Sequence, residues 1–360
     1  MKTVPFILAA LLVLAGCNNY SVVLLGDTHF DTYPVDTYHS DYDEPVEWLN
    51  NVQRAEFERN ARMWADRCER LIDNASALVR SDTEMILQMG DLIQGDCGQA
   101  SVHRQMLSDV MAHFKGRFPS GLPFVTVAGN HDVRGNYNED GTYNQWGKGA
   151  EKVYDEYMPR RMSEELGIDV PGTTFTCWVG RDVFIFVDFN TPDDAAIEQA
   201  LESSRRARNT FVVCHAPVFP YNSGSVRWFF HGWDNPDDTA ARLRFRELFA
   251  QRNVIWLCGH THTTEFADWY GDGGRITQMT MNSVWSSDEL GEYVEVCSSP
   301  EDYGAVESAA ALYAEYIPGL VSYSVSPAAG SYRMNVRGRH VIVDFFAGDS
   351  KEVSKTFVLR

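Results

Sequence analysis

Residues 124–132 read Phe124-Val125-Thr126-Val127-Ala128-Gly129-Asn130-His131-Asp132. A short apolar run of this kind predicts a strand buried on both faces, and it stops abruptly at a glycine and three polar side chains. The same pattern recurs on either side. Val22–Leu25 leads into Gly26-Asp27-Thr28-His29, and Met85–Met89 into Gly90-Asp91. Phe211–Cys214 leads into His215, and Val254–Cys258 into Gly259-His260-Thr261-His262. Val183–Val187 is a further run. Between them Phe57, Ala61, Trp64, Cys68, Leu71, Ala75 and Leu78 recur at three- and four-residue steps. Val102, Met106, Val110 and Phe114 do the same, as do Leu243 and Leu248-Phe249 more briefly, so these segments predict helices. Strand alternating with helix implies a layered α/β core. The tail differs: Tyr332–Val336 and His340–Phe346 flank Arg337-Gly338-Arg339, a hairpin signal, and Lys355–Leu359 adds a further strand.

Ligands of α/β sheets gather at the carboxyl ends of strands. Five such ends would bring Asp27, His29, Asp91, Asn130, His131, His215, His260 and His262 to one crevice. Carboxylate oxygens with neutral imidazole nitrogens suit zinc, manganese, iron or similar ions, whereas calcium would want oxygen alone. Any one of these residues by itself reads as a polar cap on a loop. Together, and each after a strand-like run, they read as a metal site.

The 360 residues carry 31 basic and 50 acidic side chains, a net charge of −19, and 44% hydrophobic content. That composition predicts a folded chain with a large core. It argues against nucleic-acid binding by charge and against docking on an anionic membrane by charge. A phosphate-bearing substrate stays compatible, because a bound cation reverses the local field. At the start, Lys2 precedes the apolar run Val4–Leu14, too short to span a bilayer. It ends in Leu14-Ala15-Gly16-Cys17, which resembles the lipobox of bacterial lipoproteins. The resemblance implies removal of residues 1–16, lipidation of Cys17, and attachment to the cell envelope by the lipid anchor alone. Asn18 in place of an aspartate favours the outer membrane, with the domain in the periplasm or at the surface. Residues 20–360 then form one catalytic domain with loop insertions. Cys214 and Cys258 sit in apolar runs and read as buried thiols, while Cys68, Cys97, Cys177 and Cys297 are open to disulfide pairing.

The ordered set Asp-x-His, Gly-Asp, Gly-Asn-His-Asp, His and Gly-His-x-His, from Asp27 to His262, resembles the calcineurin-like metallophosphoesterase family. The resemblance implies a four-layer αββα sandwich of two mixed β-sheets flanked by helices, with the C-terminal strands completing the second sheet. It implies two divalent transition-metal ions (Mn, Fe, Zn or Ni). Asp27, His29 and His262 would hold one ion, Asn130, His215 and His260 the other, and Asp91 would bridge them. His131 would assist the leaving oxygen and Asp132 would orient its neighbours. The implied activity is hydrolysis of a small phosphodiester or phosphomonoester by water activated between the two ions. The alternative, a catalytically silent ligand-binding lipoprotein on the same scaffold, predicts a lost ligand, and every ligand of the pattern is present.

Departures narrow the subtype. After Gly90-Asp91 come Leu92-Ile93-Gln94-Gly95, without the arginine of the protein Ser/Thr phosphatases and with Gln94 where purple acid phosphatases have a tyrosine. Tyr221, Trp228 and Trp233, in the aromatic segment after His215, are candidate pocket walls, or they pack on the domain. Arg134 and Arg227 are candidate phosphate contacts. Tyr33, Tyr38, His39 and Tyr42 lie in an acidic segment that reads as an exposed surface loop.

Overall fold

The computed structural model describes residues 19–39, 54–219, 229–231, 236–282, 292–303 and 315–360. Cys17, Tyr42, Tyr221, Arg227, Trp228 and Trp233 lie outside them. The chain starts with strand β1 (Asn19–Leu25) and a short helix α1 (Asp36–His39). Helices α2 (Arg54–Met63) and α3 (Glu69–Ala77) are joined through a π-helical turn, Trp64–Cys68. Next come β2 (Thr83–Gln88), α4 (Ala100–Arg117), β3 (Phe124–Thr126), the hairpin β4 (Gly135–Tyr137) and β5 (Tyr143–Gly147), and α5 (Gly149–Leu166). The second half runs β6 (Phe175–Val179), β7 (Asp182–Val187), α6 (Asp194–Ser203), β8 (Thr210–Cys214), α7 (Pro236–Arg252), β9 (Ile255–Cys258), β10 (Thr264–Gly271) and β11 (Gly274–Thr280). It closes with β12 (Leu320–Ser326), β13 (Gly330–Arg337), β14 (His340–Ala347) and β15 (Lys355–Val358).

Two mixed sheets result, ordered β15-β14-β13-β1-β2-β3 and β12-β10-β11-β9-β8-β7-β6. The two-residue period of a strand explains how they stack. Phe184 and Phe186 of β7, Phe211 and Val213 of β8, and Ile255 and Leu257 of β9 join one core with Val22–Leu25 and Ile86-Leu87 of the other sheet. Their neighbours Val183, Ile185, Val212, Cys214 and Trp256 point the other way and pack against Ile197 and Leu201 of α6 and Phe245 and Phe249 of α7. Leu71, Ile72 and Ala75 of α3 and Met106, Val110 and Phe114 of α4 cover the first sheet. Helix, sheet, sheet, helix is the four-layer order expected. No helix among the described residues is long and apolar enough to cross a membrane.

Three expectations are corrected or resolved. First, β13, β14 and β15 extend the sheet that begins with β1, not the second sheet. β13 pairs antiparallel along β1, from Asn19 opposite Arg337 to Leu24 opposite Tyr332. This covers an edge that would otherwise expose backbone, and it sends Tyr332, Met334 and Val336 into the inter-sheet core. Second, Tyr38 and His39 are buried rather than on an exposed loop. The His39 ring stacks on Phe57 at 3.9 Å and its Nε2 lies 3.0 Å from Asp31 Oδ2, while Tyr38 donates to Asp109 Oδ2 at 2.7 Å. Tyr33 alone of the described tyrosines there is exposed. Third, the six described cysteines are thiols, with Cys68, Cys97, Cys214 and Cys258 fully buried.

Candidate metal centre

The carboxyl ends of β1, β2, β3, β8 and β9 open on one crevice, and each delivers the side chains that follow it. Their backbones are forced into tight turns. His29, Asp91, His260 and His262 have positive φ, between 42° and 72°, a conformation side-chain-bearing residues rarely adopt. Such strain persists only where the surroundings hold it, and it concentrates at functional sites. The amides of Thr28 and His29 both donate to the Asp91 carbonyl, at 3.0 and 2.9 Å, which ties the first turn to the second. Glycine is required where ligands pass closest. A Cβ on Gly129 would meet Asp91 Oδ1 at 2.3 Å, and one on Gly259 would meet Asp27 Oδ1 at 2.2 Å.

Asp27, His29 and His262 converge on one point, and Asp91, His215 and His260 on a second. His262 Nε2 lies 2.9 Å from Asp27 Oδ2 and 3.3 Å from His29 Nε2. On the other side His215 Nε2 lies 3.2 Å from Asp91 Oδ2, 3.2 Å from Asn130 Oδ1 and 3.0 Å from His260 Nδ1. Asp91 reaches towards both groups, with His29 Nε2 at 3.7 Å. The structure thus brings together all seven residues that the sequence marks as ligands. Imidazole nitrogens meet one another and carboxylate oxygens at these distances when their lone pairs share a cation, so the donor set fits divalent transition ions.

Supporting contacts aim the ligands. His215 Nδ1 donates to the Met89 carbonyl at 2.7 Å, which turns Nε2 into the crevice. Asp27 Oδ1 accepts from the His260 amide at 3.0 Å. Asp132 does not face the crevice: its carboxylate accepts from the Ile93 and Gly129 amides, at 3.0 and 2.8 Å, and clamps the second turn to the third. Its carbonyl accepts from His103 Nε2 of α4 at 2.9 Å. His131 donates through Nδ1 to the Gln94 carbonyl at 2.8 Å, and its amide donates to Asp91 Oδ1 at 2.7 Å.

Electrostatics separate the roles. Burial pushes the His29 and His260 imidazoles well below the usual range, which keeps them neutral and able to donate lone pairs. Burial also opposes charge on His215, yet the carboxylates of Asp91 and Asp27 outweigh it and raise the ring to about 9. Burial opposes charge on Asp91 too, but His215 and His131 hold it well below the ordinary carboxylate range. His131 is lowered to about 3, by burial first and the Arg134 guanidinium second. Asp132 is pushed up to about 8 by burial and by the neighbouring Asp91.

The structure adds residues the strand-end pattern did not mark. Phe189 stands with its ring 5.5 Å from His215 and 6.1 Å from His260, and Asn190 Nδ2 donates to the Gly129 carbonyl at 3.3 Å. The signal was present, because Val183–Val187 ends in Asp188-Phe189-Asn190 just as the other runs end in polar residues. Asp96 and His103 carried none, since each acts through a neighbour in space.

In comparison with known proteins, none of the curated sequences matches. Solved structures of similar fold include a purple acid phosphatase from yellow lupin (Lupinus luteus) seeds, at TM-score 0.55 and 12% identity, covering 94% of this chain and 53% of that one. The chain therefore spans about half the length of the lupin protein. The structure of PhoD is similar at TM-score 0.56 and 12% identity, covering 96% of this chain and 69% of that one. At these identities the likeness is one of fold. The family model of the calcineurin-like phosphoesterases matches residues 20–264, which contain every residue of the crevice described above. The chain belongs to the calcineurin-like phosphoesterase family.

Proposed function

We propose that the protein hydrolyses a small phosphodiester or phosphomonoester with two divalent transition-metal ions, Mn, Fe, Zn or Ni. The position of Asp91 carries this reading, with His215 Nε2 3.2 Å from its Oδ2 on one side and His29 Nε2 3.7 Å away on the other. Asp27, His29 and His262 would hold one ion and Asn130, His215 and His260 the other, with Asp91 shared. When bound, the ions supply the charge that acidifies water and neutralises phosphoryl oxygens.

The chain's own residues do the rest. His131, fixed through Nδ1 to the Gln94 carbonyl, presents Nε2 to the substrate. Because Nδ1 keeps its hydrogen on the Gln94 carbonyl, Nε2 carries a lone pair. A bound phosphoryl anion raises its proton affinity, so that it takes up a proton from solvent water and then passes that proton to the departing oxygen. Asp132, hydrogen-bonded to the Ile93 and Gly129 amides, keeps the turn carrying Asn130 and His131 in place and does not react. Phe189 walls the side nearest His215 and His260 and limits water there.

We also place the protein at the bacterial cell envelope, anchored through Cys17. Asn19 begins the seven-residue β1 and Asp27 lies beyond its far end, about 20 Å away along a strand. That separation favours an active site turned from the lipid towards soluble esters.

Hydrolysis of bis-p-nitrophenyl phosphate and p-nitrophenyl phosphate by residues 18–360 tests the function. The metal-stripped protein should be inactive and should recover with Mn, Zn, Fe(II) or Ni. Asp91→Asn and His131→Ala should remain inactive after the same addition. Recovery in both variants would sink the site assignment.

A further inference from the structure

Arg134 follows the third strand end by a few residues, and alone it would read as a solvated surface side chain. The structure places it differently. Its Nε lies 2.8 Å from Asp96 Oδ1 and 2.7 Å from Oδ2, its Nη2 also donates to Asp96 Oδ2, and Glu56 Oε1 stands 3.8 Å from Nη2. The Asp96 carboxylate is fully buried and Arg134 retains only a narrow exposed strip. The backbones are locked as well. The Asp96 amide donates to the Arg134 carbonyl at 2.7 Å, Asn136 Nδ2 donates to the Asp96 carbonyl at 3.3 Å, and Asp96 itself holds a positive φ of 55°. Gly95 lies so close to the next turn that a Cβ there would meet the His131 carbonyl at 2.1 Å.

This grip also sets the direction of the Nη1 edge. Arg134 Nη1 stands 3.4 Å from His131 Nε2, the atom assigned above to the substrate, and His131 in turn groups with His29 and Asp91. An arginine that only stapled two loops would be served by the Asp96 contact alone. Here the planar fork is clamped on one edge by a buried carboxylate and brings its other edge to the crevice. A guanidinium so held is pre-organised for a phosphoryl oxygen, and little rotamer freedom is lost when the anion arrives.

We propose that Arg134 contacts the phosphoryl group of the substrate beside His131, and that Asp96 is the positioning residue that aims it. The proposal rests on the phosphoesterase reading for the identity of the anion. It assigns part of the affinity for the phosphate group to a side chain that holds no metal, four residues beyond Asn130 on the same loop.

The test is orthophosphate binding to the metal-loaded protein by calorimetry, beside metal content and steady-state kinetics with aryl phosphates of differing leaving group. Arg134→Ala should keep two ions per chain and bind orthophosphate about 10–100-fold more weakly, the loss expected for one charge-assisted contact. KM should rise alongside, equally for good and poor leaving groups, and added guanidinium chloride should restore part of the affinity. Arg134→Lys should recover little, because an ammonium cannot span Asp96 and the phosphate together. Asp96→Asn should weaken binding by less than Arg134→Ala. Arg104→Ala, which removes an exposed pair with Glu156, should change nothing. Unchanged orthophosphate affinity in Arg134→Ala would overturn the proposal. So would a loss accompanied by loss of metal, which would make Arg134 purely structural. A wild-type protein that cleaves no ester yet binds orthophosphate through Arg134 would uphold this inference and overturn the catalytic reading instead.

Discussion

The two ends of the sheets bury polar clusters of opposite kinds. At the amino ends of β1 and β7, Asp182 is fully buried and completely answered by the chain. It accepts from Tyr20 Oη at 3.0 Å, from Arg208 Nε at 2.9 Å, and from the Asn209 amide and side chain at 3.0 and 3.1 Å. A guanidinium and three neutral donors balance one carboxylate. At the carboxyl ends, Asp27 and Asp91 are crowded by imidazoles, of which burial keeps His29 and His260 neutral and lone-pair-bearing while the two carboxylates hold His215 charged. Neutral imidazole lone pairs crowded beside carboxylates are the donor set that a divalent cation takes. A closed network is structural; an open, acceptor-rich one on strained backbone marks chemistry.

The comparison breaks most visibly at Asp91. Asp91→Asn should lower kcat/KM well beyond the ~10–100-fold typical of a lost supporting contact, and elemental analysis should find fewer than two ions per chain. His131→Ala should cost about 10²–10⁴-fold in kcat with both ions retained, and more for poor leaving groups than for good ones. Equal losses across leaving groups would remove its proton-transfer role. At the other end, Asp182→Ala leaves the half-buried Arg208 without its carboxylate and the buried Tyr20 and Asn209 donors without their acceptor. Chemical denaturation should show a loss of about 3 kcal/mol, while kcat of the folded fraction stays at the wild-type value. Chelation sharpens the contrast. Stripping the ions should lower Tm of the wild type, since ligands that bind only the native state stabilise it by mass action. The same drop should appear in Asp182→Ala and shrink in Asp91→Asn.

The smallest effect concerns a carboxyl group that belongs to neither cluster. Glu265 of β10 is fully buried, with Oε2 3.3 Å from Thr280 Oγ1, and burial raises it from 4.5 to about 8. The native state therefore holds a proton that the unfolded chain releases at lower pH. The stabilising contribution is fully present below pH 4.5 and is lost as pH rises through about 8. Glu265→Gln should flatten stability over that window, as measured by denaturant midpoints at several pH values. A persistent slope would place the titration elsewhere.

How much of this could be read from the chain follows from range. Runs such as Val22–Leu25 and Phe211–Cys214 announce strands because burial on both faces admits only apolar side chains. The strands β10 and β11 carry no such run because polar residues such as Asp268, Thr277 and Gln278 interrupt them. Partnership between strands was beyond local pattern as well. The tail hairpin was legible at Arg337-Gly338-Arg339, but its placement beside β1 depended on which edge lay open.

The site divides in the same way. Asp27, His29, Asp91, Asn130, His215, His260 and His262 were determined by the sequence itself, because each follows a strand end and strand ends share one rim. Tertiary structure alone decided that Asp96 grips Arg134 beside His131, that Asp132 turns to backbone amides, and that Phe189 closes one wall. Those relations join residues through space, and their physical causes, a charge buried against its partner, a carboxylate met by backbone amides and a ring packed on imidazoles, exist only once the layers have packed.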